Sequence, residues 1–263
     1  MSGWVVRLVI LASTLVLLQG CESGNCRKPQ DFEESSKRFE KRIESWLDAA
    51  DAYEMQRENV ALKRAVLLPE RKKLVTFRES MTSRMVDALI VPIPDSKVLR
   101  DLVLETQRVN MVYAWKLFDV SFEIHRMFTT EQREKLVNAM KQPAETFKFP
   151  FLARRAIDYV LFKIDATAAQ KTNVWSTVRT TEKRVDKLII EQRTISDRIL
   201  AEWTKHQPNK DQVRKDVNLA SDSVVRVAVV VLDDAVALSK EFRPEQREFV
   251  NDRLVRMKTC PTP

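Results

Sequence analysis

Apolar residues recur at steps of three and four along most of this 263-residue chain. Val213, Val217, Ala220, Val224, Val227, Val231, Ala235, Leu238 and Phe242 form one such series, the spacing of a helix with a single buried face. Leu99, Leu102, Val109, Tyr113, Leu117, Val120, Ile124 and Met127 form another. The β-branched run 224–231 taken alone also fits a strand, but it aligns with 110–117 inside a helical pattern, which favours helix. Upstream, 31–66 and 151–206 contain neither Pro nor Gly, and the first carries Phe39, Ile43, Trp46, Leu47 and Ala50 on one stripe. Pro94-Asp95 and Pro208-Asn209 each read as a helix stop followed by an N-cap, with Gln212 completing a capping box on Asn209. The expected fold is all-α, with long antiparallel helices.

The series are related. Shifting the sequence by 114 residues aligns 31–140 with 145–254 without a gap, and 20 of the 110 positions are identical, against about 6 or 7 expected from ordinary residue frequencies. Ile43, Leu47, Asp51, Ala52, Gln56, Asn59 and Val60 recur as Ile157, Leu161, Asp165, Ala166, Gln170, Asn173 and Val174. Phe128 with Glu131-Gln132-Arg133-Glu134 recurs as Phe242 with Glu245-Gln246-Arg247-Glu248. One offset held through Pro and turn positions reads as an internal duplication. The expected organisation is two homologous helical-hairpin or bundle repeats, 31–142 and 151–258, a Pro-bracketed joint at 143–150 and a tail at 259–263.

The chain ends add an address. A short segment ending in Arg7, an apolar run over 8–18 broken by Ser13 and Thr14, and then Gln19-Gly20-Cys21 form a secretory pattern, so 1–20 is expected to be a signal peptide. Eleven apolar residues fall short of the roughly 20 that span a bilayer. Leu18-Gln19-Gly20-Cys21 resembles the lipobox of bacterial lipoproteins, which implies a diacylglycerol on Cys21, a tether over 21–30, and, with Glu22 next, placement at the periplasmic face of the outer membrane; the inner membrane stays open. The alternative is an ordinary signal peptide with Cys21 a plain thiol. Cys26 and Cys260 then form an even pair in an oxidising compartment, either a disulfide or two free thiols.

Composition narrows the function. The three glycines are Gly3, Gly20 and Gly24, so tight hairpins, phosphate loops and dinucleotide fingerprints are improbable. The net charge is +8; removing 1–20 takes away Arg7 and leaves +7. On an exported protein this points away from nucleic acid and toward anionic lipid, acidic envelope polymers or acidic client proteins. His125 and His206 are the two histidines, with no counterparts 114 residues away, so no metal site is expected, and Met81 and Met85 read as core. Asp233-Asp234 points two ways on a helix and reads as a salt-bridge face. No nucleophile is visibly activated, so no enzyme and no cofactor are expected.

One motif suggests a family. In Phe128-Thr129-Thr130-Glu131-Gln132, Thr129 can cap a helix, Gln132 can reach back to the cap N–H, and Glu131 lies at the positive end of the helix dipole. The second occurrence, Phe242-Arg243-Pro244-Glu245-Gln246, has Arg at the cap and Pro244 at the favoured first helical position. In an exported, basic, nearly Gly-free helical chain this box resembles the Leu-Thr-x-x-Gln box of the Spy/CpxP family of periplasmic proteins. The resemblance implies two boxes per unit, the upstream one placed at Leu68-Pro69-Glu70-Arg71. It also implies hooked helical subunits that pair into a cradle and shield unfolded proteins without ATP during envelope stress. Two fused copies would then form a monomeric pseudo-dimer. The candidate client-binding basic face comprises Arg64, Arg71, Lys72, Lys73, Arg154, Arg155, Lys183 and Arg184. The competing classes are an interaction lipoprotein docking on a sensor kinase or the cell wall, and a periplasmic metal sensor.

Overall fold

The computed structural model describes residues 32–141 and 151–258. The signal peptide, Cys21, Cys26, Cys260 and the joint at 143–150 lie outside the described residues. Among the described residues there are nine helices and no strand: α1 Phe32–Ala49, α2 Glu54–Ala65, α3 Leu68–Leu89, α4 Ser96–His125, α5 Thr130–Met140, α6 Phe151–Lys163, α7 Ala168–Thr204, α8 Lys210–Glu241 and α9 Pro244–Lys258. The protein is all-helical, and the 224–231 run is helix. At 1.5 Å per residue, α4, α7 and α8 are about 45 to 55 Å long. None of the described helices is long and apolar enough to cross a membrane.

The Pro- and Gly-free segments are each broken by a turn. Asp51 and Asp165 adopt positive φ, 50° and 48°. Asp51 N–H bonds to the Asp48 carbonyl and Ala52 N–H to that of Leu47 (3.1 and 3.0 Å), and Asp165 and Ala166 repeat these bonds to Phe162 and Leu161 at the same lengths. This is the Schellman helix stop, with Asp in the left-handed position usually held by Gly. Asp is among the side chains that tolerate that region. Ala52 and Ala166 then fold back onto Leu47 and Leu161 in two separate apolar clusters. The recurrence of Leu47, Asp51 and Ala52 as Leu161, Asp165 and Ala166 thus has a physical cause, since each set builds the same turn.

Asp95 and Asn209 cap α4 and α8 as expected, accepting from Lys97 N–H (2.7 Å) and Gln212 N–H (3.0 Å). The second arm of the box on Asn209 is absent. Gln212 donates instead to Asp216 (3.2 Å), and Asn209 N–H donates to Glu202 (3.0 Å). Asp216 is fully buried and takes Arg198 at 2.5 Å, so the spare amide of Gln212 is drawn to that carboxylate.

The most extensive helix contact is α7 on α8. Thr181 meets Asp234, Leu188 meets Ser223 and Arg198 meets Asp216, so partners run in opposite order along the two helices. Val185, Val227 and Val231 fill the space between them. Helix α4 lies on α8 across the two halves of the chain. Leu99 and Val103 pack with Leu232 and Val236, while Val213 and Val217 pack with Phe118 and Phe122. Each residue of the second group lies 114 positions from one of the first, with the partners exchanged. Between these clusters Gln107 donates to Ser221 (3.2 Å), its own counterpart at that offset. Helix α5 packs on α7, and α9 packs on α3, where Arg247 and Asn251 donate to the Pro92 and Ile90 carbonyls (2.9 and 2.8 Å).

Candidate functional site

The Thr129 box forms as expected. Thr129 Oγ1 accepts from Gln132 N–H at 3.2 Å, and Gln132 Oε1 accepts from Thr129 N–H at 3.1 Å. Glu131 stands in the first turn of α5 and pairs with Lys135 (2.9 Å), and Phe128 is buried in the first apolar cluster. At the second occurrence Gln246 Oε1 accepts from Arg243 N–H (2.9 Å), Pro244 opens α9, Glu245 is exposed in its first turn, and Phe242 packs against the second cluster.

The upstream box is not at Leu68–Arg71. There Leu68 and Pro69 simply begin α3, and Glu70 is an ion-pair partner of Lys73 and Lys116. It lies instead at the start of α2 and of α7. Gln56 Oε1 accepts from Tyr53 N–H (3.0 Å), and Gln170 Oε1 accepts from Thr167 N–H (2.9 Å). Thr167 completes its box by accepting from Gln170 N–H (3.2 Å); Tyr53 has no short hydroxyl, and Gln56 N–H bonds to the Tyr53 carbonyl (2.9 Å). The signal was present in the sequence as Thr167-Ala168-Ala169-Gln170 and as the recurrence of Gln56, but Tyr at the first cap hid it.

The two boxes of each half meet. Gln56 and Gln132 donate to each other's Oε1 at 3.0 Å, while their Nε2 atoms also donate to the Met127 (2.6 Å) and Asp51 (3.2 Å) carbonyls. Gln170 and Gln246 exchange the same bonds at 3.0 and 3.3 Å, and donate to the Glu241 and Ile164 carbonyls (2.9 and 3.0 Å). Each amide uses both N–H groups and accepts at least twice, so the paired side chains are satisfied while tying together two helix N-termini and two helix ends. The first pair is buried; in the second, Gln170 is only half-buried.

The eight basic candidates do not form one face. Arg64 bridges to Glu40 (3.1 Å), Arg154 to Glu182 (2.6 Å) and Arg184 to Asp234 (3.1 Å). Arg71 lies over the Phe39 ring, 4.7 Å from its centroid. Lys72, Lys73, Arg155 and Lys183 are exposed, Lys73 reaching Glu70 at 3.4 Å. Beside them Met55, Leu62 and Val66 expose 70%, 68% and 69% of their surface along α2, an apolar stripe next to the lysines of α3. Asp233 turns to Arg100 (2.7 Å) and Asp234 to Thr181 and Arg184, as adjacent helical residues must. Met81 is buried, Met85 packs against the α4–α8 cluster, and no metal-ligand cluster occurs among the described residues.

His125 is buried where α4 meets the end of α7. Its Nε2 lies 2.9 Å from the Lys205 carbonyl and its ring stands edge-on to Trp203. Burial lowers its pKa, with Arg133 and His206 acting in the same direction against the backbone bonds to Lys205 and Trp203. Compared with known proteins, the chain matched no family model, no curated protein and no solved structure.

Proposed function

We propose that this protein is a membrane-tethered, ATP-independent periplasmic chaperone of Spy/CpxP type, built as two fused copies of one helical-hairpin unit. The observation that carries the reading is the joined pair of glutamine boxes in each half, Gln56 with Gln132 and Gln170 with Gln246. The family resemblance calls for two boxes per unit, and four boxes are present, all at the 114-residue offset. The exchange of partners across the α4–α8 contact, with Gln107 meeting Ser221, is the pattern of an isologous interface, in which residue i meets j and j meets i. It supports a pseudo-dimer made within one chain, and a monomer is expected by light scattering; a stable homodimer would count against it.

The binding chemistry follows from the exposed stripe Met55, Leu62 and Val66 beside Lys72 and Lys73. Long-range attraction gathers acidic, flexible clients, and a shallow apolar surface holds them weakly. A lipid on Cys21 would keep this surface beside the membrane. The test is aggregation of an unfolded client at substoichiometric to equimolar ratios without ATP. Suppression that weakens with added salt is expected, and no suppression would sink the reading. No enzyme activity, cofactor or nucleic-acid partner is part of it.

A further inference from the structure

The two halves differ sharply at one place. Arg64, Arg71 and Arg78 lie seven residues apart along α2 and α3 and face Asn110 and Tyr113 on α4. Arg78 donates to Asn110 Oδ1 at 3.0 Å, and all three guanidiniums act on the Tyr113 phenol. The positions 114 residues later are Val178, Val185, Gln192, Val224 and Val227, and there Val185 and Val227 are closed to solvent. The same hairpin position is therefore a valine core in one half and an arginine–tyrosine slot in the other.

Such a slot is unfavourable for the fold. Burying guanidiniums removes their hydration, and burial accordingly lowers the pKa of Arg71 and Arg78 and raises that of Tyr113. The second half shows that valine packing satisfies this helix pair. Retained cations between two helices point to something that they hold.

We propose that Arg71, Arg78 and Tyr113 form a binding site for a phosphate group, carried either by a small soluble compound or by a lipid headgroup. Glu40 is engaged by Arg64 at 3.1 Å, so Arg71 and Arg78 add two further positive charges to the slot. A phosphate monoester carries up to two negative charges and three acceptor oxygens, a better match to two guanidinium forks and a phenol than a single carboxylate. Arg71 stacked on Phe39 and Arg78 held by Asn110 are preorganised for this. The inference stands apart from the chaperone reading, which concerns the exposed face of α2.

The experiment titrates the purified protein with pyrophosphate, with dihexanoyl phosphatidylglycerol below its micelle concentration, and with a glutamate-rich peptide, at matched ionic strength. Calorimetry and thermal shift are the readouts. Arg78→Gln installs the residue that the second half carries at this position and should weaken phosphate binding about tenfold, the loss of one charge-assisted contact. Tyr113→Phe should weaken it less, with an unchanged circular dichroism spectrum. Lys187→Gln, which removes an exposed charge elsewhere, should leave it unaltered. Arg78-dependent binding of pyrophosphate alone assigns a soluble compound, and of the phosphatidylglycerol alone a headgroup. Three results would each overturn the proposal: no response to either phosphate probe, equal weakening by Arg78→Gln and Lys187→Gln, or tighter Arg78-dependent binding of the peptide.

Discussion

Replacing Gln132 by Leu removes the amide that holds the first pair of boxes. Four hydrogen bonds go with it: from Thr129 N–H, to the Asp51 carbonyl, and both bonds shared with Gln56. Gln56 keeps its bonds from Tyr53 N–H and to the Met127 carbonyl, whereas Thr129 N–H and the Asp51 carbonyl lose their side-chain partner. At about 1 kcal/mol net per bond, with a larger cost where a buried group is stranded, the loss is about 4 kcal/mol. Gln56→Leu strands the Tyr53 and Met127 groups at a similar cost. The two bonds between the glutamines are lost in either single variant, so the double variant loses less than the sum, with a coupling of about 1–3 kcal/mol. The same cycle on Gln170 and Gln246 should give a smaller coupling, because Gln170 is half-buried and water replaces part of what is removed. Urea denaturation followed by circular dichroism measures all eight proteins. Additivity within about 0.5 kcal/mol at Gln56 and Gln132, or an equal coupling in the second half, would refute the argument that the buried amide pair acts as one unit.

Further outcomes follow from other parts of the molecule. Leu99 is fully buried in the α4–α8 contact, and Leu99→Ala should cost about 3 kcal/mol and lower the denaturation midpoint reported by probes in either half. Asp165→Gly should be tolerated or slightly stabilising in thermal melts, while Asp165→Val should destabilise, since the left-handed position excludes a β-branched side chain. The Arg198 guanidinium holds the Asp216 carboxyl below its ordinary value. A depressed acid contributes stability that is present above about pH 4 and lost as pH falls through the folded value, so Asp216→Asn should flatten the acid limb of the melting profile. Burial of His125 lowers its pKa, so its stabilisation is present above about pH 6.5 and declines below it; in His125→Gln the melting temperature should change less between pH 7 and pH 5.

Much of the helical layout was legible in the chain. Apolar spacing placed α4 and α8, Pro-Asp and Pro-Asn marked their starts, and Thr129 with Gln132 formed the expected box, because all of these rest on contacts within a few residues. The left-handed turns at Asp51 and Asp165 were less legible, since Asp reads as an ordinary helix-surface residue and Gly, the usual marker, is absent from both turns. The upstream boxes were missed for a related reason: the cap at Tyr53 has no hydroxyl near its backbone, and the glutamine arm alone leaves no signature.

Tertiary structure decided which polar residues meet. Gln56 and Gln132 are 76 residues apart, and only packing of α2 against the end of α4 and the start of α5 brings their amides together. The basic residues show the same limit. A count of positive charge gave eight candidates, but folding paired Arg154 and Arg184 with carboxylates on other helices and turned Arg71 inward with Arg78 and Tyr113. Local propensity is set by neighbours along the chain, whereas the fate of a charge is set by what the opposite helix presents. Here one half presents Val227 and the other Tyr113.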